Sequence, residues 1–207
     1  MKKKQLEMFL QQTPNFAKPK PGLEQYQTPA VIAADLLFFA YQQQDVMDKA
    51  VVDLGCGTGI FSFGSAVLNA KKVVGIDKDK ESIQIAEEFA KKHDLEITFL
   101  LQDISMVDFF ADTVIMNPPF GAQKANVHAD QVFLKKALQT APVVYSLHLT
   151  KTVPFLTRFI QKNNACIDTV LNGSFPLKAQ FRFHKKLVEN VSVSILRVIR
   201  TSADEKG

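Results

Sequence analysis

Apolar positions along this chain come in short runs. Some alternate like strands, and others recur at the three-to-four spacing of helices. The first 22 residues break that pattern. Pro14, Pro19, Pro21 and Gly22 mark the segment as an irregular arm without a helix of any length. Thr28-Pro29 then opens a helical pattern that runs to about residue 41, with Thr28 as N-cap and Pro29 at the first helical position. A short apolar strand at 50–54 ends in glycines, residues 60–68 read as a helix, and 72–77 read as a second strand. Residues 79–92 make an amphipathic helix, with Ile83, Ala86, Phe89 and Ala90 on one face and Glu87, Glu88, Lys91 and Lys92 in solvent. Strands follow at 97–101 and 112–116, a helix at 131–140, a strand at 143–147 and a helix at 153–163. Two β-prone stretches, 166–171 and 191–199, close the chain. The pattern predicts an α/β fold: a doubly wound, mostly parallel sheet with one antiparallel strand near an edge.

Composition narrows the class. A chain of 207 residues suits one domain with a small extension and can bury a core without disulfide or metal staples. With 46% apolar and 22% charged residues it belongs with globular rather than disordered sequences. Residues 30–41, one of the longest apolar stretches, are interrupted by Asp35, and Lys2, Lys3 and Lys4 lead into no secretory h-region, so a cytoplasmic protein without membrane contact is expected. Cys56 and Cys166 cannot make a zinc site alone and are expected to be reduced. The net charge of +4 conceals a segregation: +4 over residues 1–21, −6 over 22–142, +7 over 143–200 and −1 over the last seven. Both a polyanionic partner for the basic flanks and a merely solvated basic face fit this distribution.

Candidate chemistry begins with Asp53-Leu54-Gly55-Cys56-Gly57-Thr58-Gly59, set between a predicted strand and a predicted helix. Gly55, Gly57 and Gly59 allow positive φ and close approach of a ligand to the backbone. Asp77 ends the next strand, 24 residues on, and can accept two hydrogen bonds from a ribose diol. Asp103 follows the third strand and can take an exocyclic amine, with Ile104 against the adjoining ring. Each acid alone could be an ordinary turn residue. In this order, at successive strand ends, they converge on the crevice where open α/β sheets bind ligands. Together these residues resemble the S-adenosylmethionine site of the Rossmann-like class I methyltransferases, whose fold is a seven-stranded sheet. That likeness implies S-adenosylmethionine as cofactor, with Asp53 near the methionine amino group and the Gly55–Gly59 backbone beside the amino acid moiety.

Asn117-Pro118-Pro119-Phe120 follows the fourth strand. Tandem prolines remove two backbone donors and stiffen the loop. The pattern suits methylation of a planar nitrogen, whose lone pair is delocalised. The Asn117 side-chain oxygen and the Pro118 carbonyl can each accept one amine proton, which favours a tetrahedral nitrogen without a strong base. Pro119 stiffens the loop with Pro118, and Phe120 can stack on the substrate's flat face. Methyltransferases of nucleic-acid adenine and of protein glutamine both carry this pattern, and the tetrapeptide does not choose between them. Cys56 lacks a nucleophilic partner, which argues against a 5-methylcytosine mechanism.

Further elements narrow the resemblance. Leu23-Glu24-Gln25-Tyr26-Gln27-Thr28-Pro29 precedes the first predicted helix, Asp130 and Phe133-Leu134-Lys135 follow the tetrapeptide, Val144-Tyr145-Ser146-Leu147-His148 forms the fifth strand, and Phe181-Arg182-Phe183-His184-Lys185-Lys186 lies between the last two strands. Over nearly its whole length the chain is similar to the methyltransferase-like protein five family, adenine-N6 methyltransferases of small-subunit ribosomal RNA. The resemblance implies that Gln25, Tyr26 and Thr28 close over cofactor and target base. It divides the chain into an arm (1–28), a methyltransferase domain (29–200) and a tail (201–207). It also implies a small zinc-binding activator subunit that pairs along a sheet edge, as in eukaryotic relatives. Leu187 departs from the family, which often has a third basic residue there. On chemistry alone, Lys178, Arg182, His184, Lys185 and Lys186 interleave with Phe181 and Phe183 as an RNA-binding loop would, cations for phosphates and aromatics for unpaired bases. His184 lacks a partner at ligand spacing, and no metal site is expected.

Two other functions compete. A protein-glutamine N5 methyltransferase would share the tetrapeptide, but it leaves the basic flanks unexplained and usually brings an N-terminal helical domain. A non-catalytic RNA-binding protein that merely holds the cofactor would not need the intact Asn117–Phe120 segment.

Overall fold

Seven strands, β1 (Ala50–Leu54), β2 (Lys72–Asp77), β3 (Thr98–Leu101), β4 (Thr113–Met116), β5 (Val143–Leu149), β6 (Ala165–Lys178) and β7 (Val188–Arg200), join in one sheet of order β3-β2-β1-β4-β5-β7-β6. The structure, a computed structural model, describes residues 1–20, 24–25, 27–120, 128–178 and 188–201, except for the side chains of 175–178 and 188–190. β1 runs parallel to β2 and β4, β2 to β3, and β4 to β5. β7 is inserted antiparallel between β5 and β6, which makes it the expected antiparallel strand, one place in from the edge. The order turns back between β1 and β4, so the crevice of the sheet opens at their C-terminal ends.

Period-two alternation divides the strands between two layers. Val51, Ile115, Tyr145, Leu147 and Ile195 face a cluster with α1 (Lys3–Leu10), α2 (Ala30–Gln42) and α3 (Ile60–Val67). Val52, Val114, Met116, Val144 and Leu196 face the other cluster, with α5 (Ala129–Thr140) and α6 (Val153–Lys162). The remaining helix, α4 (Lys80–Lys92), buries Ile83, Ala86, Phe89 and Ala90, and Phe89 packs at a tilt against Phe63 of α3 with 4.5 Å between ring centroids. No helix among the described residues is long and apolar enough to cross a membrane.

Two sequence expectations need correction. Residues 3–10 form a helix, not irregular arm, and its Leu6 and Leu10 are 0% and 1% exposed in the core. All the prolines lie after it, so none interrupts its hydrogen bonds, and the i, i+4 spacing puts both leucines on one face. Thr28 is not the N-cap of α2. Pro29 holds that position in extended backbone, its carbonyl accepts from the Ala33 N–H at 3.0 Å, and the Thr28 hydroxyl is engaged elsewhere. The last two strands also run longer than their β-prone cores, to 14 and 13 residues. Gly173 and Pro176 hid that extension, yet an edge strand, as β6 is, tolerates a proline.

Candidate active site

A cavity of about 360 Å³ opens at the C-terminal ends of β1, β2 and β4. Its floor is the turn from β1 into α3. The N–H groups of Gly55 and Cys56 both donate to the Ile76 carbonyl, at 2.8 and 2.9 Å, which binds the turn to β2. Gly55 and Gly57 have φ of +76° and +53°. A Cβ on Gly55 would lie 2.7 Å from the ring of Phe133, and one on Gly57 would lie 2.9 Å from the ring of Phe16. The glycines therefore let an aromatic from α5 and one from the arm close on the turn from either side.

The acids take unequal places. Asp77 lines the cavity, and its two oxygens accept from the N–H groups of Gly57 and Asp79, at 2.8 and 2.9 Å. Each oxygen keeps further acceptor capacity for a diol. Burial raises its pKa, against the lowering effect of those N–H donors. Asp103 also lines the cavity. Its side chain accepts from Ser105 N–H at 2.9 Å, which caps the turn at Ile104–Met106 and, foremost among the causes, holds the carboxyl below its usual range. Ile104 lies beside it in the cavity wall. Asp53 does not line the cavity. It is 1% exposed, and its Oδ2 accepts from both the backbone N–H and the hydroxyl of Ser62, at 2.8 and 2.7 Å, tying β1 to the first turn of α3. Its Oδ1 is buried without a hydrogen-bond partner among the described residues, and burial pushes its pKa up to about 7. Gly59, at φ +94°, starts α3 and also stays outside the cavity lining.

The arm forms the opposite wall through Phe16, Gln25, Gln27 and Thr28. It is fastened at several points. The Thr58 hydroxyl donates to the Pro14 carbonyl at 2.8 Å, and the Gln27 amide donates to the Pro14 carbonyl at 3.2 Å. Gln25 accepts from the Lys20 N–H at 2.9 Å and donates to Asp79 at 2.8 Å. Burial opposes ionisation of Asp79, but hydrogen bonds from Lys20, Ser82 and Gln25 outweigh it and hold the carboxyl down at about 2.

Asn117 follows β4 at the cavity mouth. Its Nδ2 donates to the Thr28 hydroxyl oxygen at 2.9 Å, while Oδ1 is buried with no hydrogen-bond partner among the described residues. Pro119 lines the cavity, Pro118 is buried behind it, and Phe120 packs half-buried against the cluster beneath α2 rather than on the cavity wall. The Cys56 thiol lines the cavity, but burial raises its pKa well above the usual thiol range, so it stays a protonated, poor nucleophile. His148 is 1% exposed and paired with the Ser146 hydroxyl, and burial holds its pKa down at about 3 as a neutral structural group.

The structure thus brings Gln25, Thr28, Gly55, Gly57, Asp77, Asp103, Ile104, Asn117 and Pro119 to one cavity. Tyr26, Phe181, Arg182, Phe183, His184, Lys185 and Lys186 lie outside the described residues, as does the side chain of Lys178. Phe16, Lys78 and Val132 also line the cavity, and no sequence motif pointed to them. Their proximity arises only from the fold. Phe16 alone carried a signal, as the one aromatic in the polar, proline-rich stretch 11–22.

Comparison with known proteins agrees with this geometry. A family model described as methyltransferase small domain matches residues 32–141. The chain is 37% identical to the rRNA N(6)-adenosine-methyltransferase METTL5 of Danio rerio, over 97% of this chain and all of that one. It is 41% identical to "Uncharacterized protein MJ0284" of Methanocaldococcus jannaschii, over 96% of this chain and 94% of that one. Among solved structures, the "putative RNA methyltransferase PH1948" from Pyrococcus horikoshii superposes with a TM-score of 0.90 at 36% identity, covering 98% of this chain and 99% of that one.

Proposed function

Since the chain belongs to the METTL5 family of rRNA N(6)-adenosine-methyltransferases, built on the methyltransferase small domain, we propose that it methylates the N6 amine of an adenosine in small-subunit ribosomal RNA, with Asn117 as the residue that receives the amine. The observation that carries this is the Asn117 Oδ1, a buried acceptor with no partner among the described residues, at the mouth of a cavity with two acids and a glycine turn. An unpaired buried carbonyl costs about 1–3 kcal/mol, so its place is consistent with a donor that arrives with substrate.

The residues fit S-adenosylmethionine. The Gly55–Gly57 turn, flanked by the rings of Phe133 and Phe16, lines the cavity, Asp77 retains acceptor capacity for a ribose diol, and Asp103 with Ile104 suits an adenine edge and face. The bound cofactor supplies an electrophilic methyl group. This chain's own work is to hold the acceptor. Asn117 Oδ1 and the Pro118 carbonyl draw on the two amine protons, the nitrogen moves towards tetrahedral geometry, and its lone pair turns to the methyl group. The tandem prolines keep both acceptors in place, so little reorganisation is left for the reacting step. A paired adenine must first leave its stack to reach the cavity mouth, and Phe120, packed against the cluster beneath α2, lies outside that wall.

The basic residues 178–186 are proposed to hold RNA phosphates and unpaired bases around the target. A small zinc-binding activator is proposed at the edge of β3, where Leu101, Met106 and Phe110 are 53%, 68% and 79% exposed beside a strand paired on one side only, with β2. A cytoplasmic site of action goes with this reading.

The test is incubation with methyl-labelled cofactor and ribosomal RNA, intact subunits or a release factor, followed by nucleoside and peptide analysis. Label should appear in N6-methyladenosine of the small-subunit RNA, and label in a glutamine instead would overturn the reading. Asn117→Ala should lower turnover by about 100-fold or more while cofactor affinity stays within twofold. Undiminished turnover would remove Asn117 from the mechanism.

A further inference from the structure

The side-chain amide of Asn117 has two ends in unlike surroundings. The Nδ2 end donates to Thr28 Oγ1 at 2.9 Å, and the Oδ1 end is buried and unpartnered among the described residues. Thr28 is itself 5% exposed and joins the arm to α2, with Pro29 behind it and Gln27, anchored to Thr13 and Pro14, in front. We propose that Thr28 is a positioning residue: by accepting from Nδ2 it fixes the Asn117 amide so that the carbonyl oxygen, and not the NH₂, meets the target amine. This rests on the amine-methylation reading above.

An asparagine amide can rotate through half a turn with little change in shape, and its two ends have opposite chemistry. Turned one way, Oδ1 accepts a proton from the amine. Turned the other, NH₂ faces NH₂ and both donors are left unpaired. The threonine hydroxyl can serve either end in isolation. With the amine present, only the arrangement seen here satisfies every group. Thr28 also lines the same cavity as Phe16, Gln25 and Gln27, so the amide is set by the segment that walls the cofactor site. Thr28 would thus act on the reaction through Asn117 rather than by holding the cofactor, a role different from cofactor closure.

Thr28→Val keeps the shape and removes the acceptor. Thr28→Ala is a second variant without it, and Thr28→Ser restores it. Three quantities are read: the single-turnover rate of N6-methyladenosine formation, the Kd for S-adenosylmethionine, and the ¹H–¹⁵N signal of the Asn117 side-chain amide in the free protein, identified by its absence in Asn117→Ala. We expect the rate to fall about 10- to 100-fold in the Val and Ala variants and to recover largely in the Ser variant. Cofactor Kd should stay within twofold, and the amide signal should shift in the Val and Ala variants only. A rate within twofold of wild type, an unmoved amide signal, or a Kd that weakens in step with the rate would overturn the proposal, the last by making Thr28 a cofactor ligand. Failure of the underlying reading looks different, because the wild-type protein itself would then form no N6-methyladenosine.

Discussion

Two buried titratable side chains give the folded protein opposing responses to pH. The Asp53 carboxyl, pushed up to about 7 by burial, is protonated in the native chain over a range where the unfolded chain has already ionised near 3.8. The native state therefore binds more protons between those values, and the stability linked to Asp53 is full at low pH and lost as pH rises to about 7. The His148 imidazole is held down at about 3 against 6.5 in the unfolded chain, so its contribution is full above 6.5 and lost as pH falls towards 3. The two slopes oppose each other between about pH 4 and 6.5. Thermal unfolding of the cofactor-free protein should show His148→Gln losing stability as pH rises through this window, and Asp53→Asn gaining it. The slopes should differ from wild type by up to about 1.4 kcal/mol per pH unit, and profiles parallel to wild type would refute both assignments. Neither response was legible beforehand. The resemblance to class I methyltransferases implied Asp53 as a cofactor neighbour, and only packing shows that both its bonded contacts go to Ser62.

At the scale of elements, α1 behaves as part of the core. Leu6→Ala removes a side chain with 0% exposure from the cluster shared with α2 and the sheet, and should lower the unfolding free energy by about 2–5 kcal/mol in denaturant titration. A change under about 0.5 kcal/mol, as for a surface position, would show that α1 is dispensable. The parallel strands and α3 to α6 were readable because their periodicity is local. α1 was not, because eight residues with two leucines give a weak pattern that later prolines overshadow. The candidate site divides in the same way. Asp77, Asp103 and Asn117 end strands that sequence can place. Phe16 and Phe133 reach the glycine turn from segments about forty residues before it and nearly eighty after it, and only the fold puts them there.

For the whole molecule, the charge segregation acquires a geography. The acidic middle of the sequence supplies Asp77 and Asp103 to the cavity, while Lys151, Arg158 and Lys162 lie exposed along the α6 side, next to the strands that flank residues 178–188. If RNA binds there, replacing Lys185 and Lys186 together by Glu should weaken RNA binding at low salt. It should also reduce the slope of log K against log salt by about 2, roughly one per lost phosphate contact. An unchanged slope in filter-binding titrations would place the RNA elsewhere.

The position of β7 also has a consequence for how the chain is assembled. β6 has no pairing with β5, and its hydrogen-bonded neighbour in the sheet is the strand made after it. During synthesis from the N-terminus, the parallel part of the sheet can form first, with β5 as a temporary bare edge and β6 waiting unpaired. The last strand then fills the gap and docks both in one step. A ribosome stalled before residue 188 would therefore hold a protein missing two strands rather than one. Its exposed β5 edge would be open to chaperones, or to another chain, until the final segment emerged.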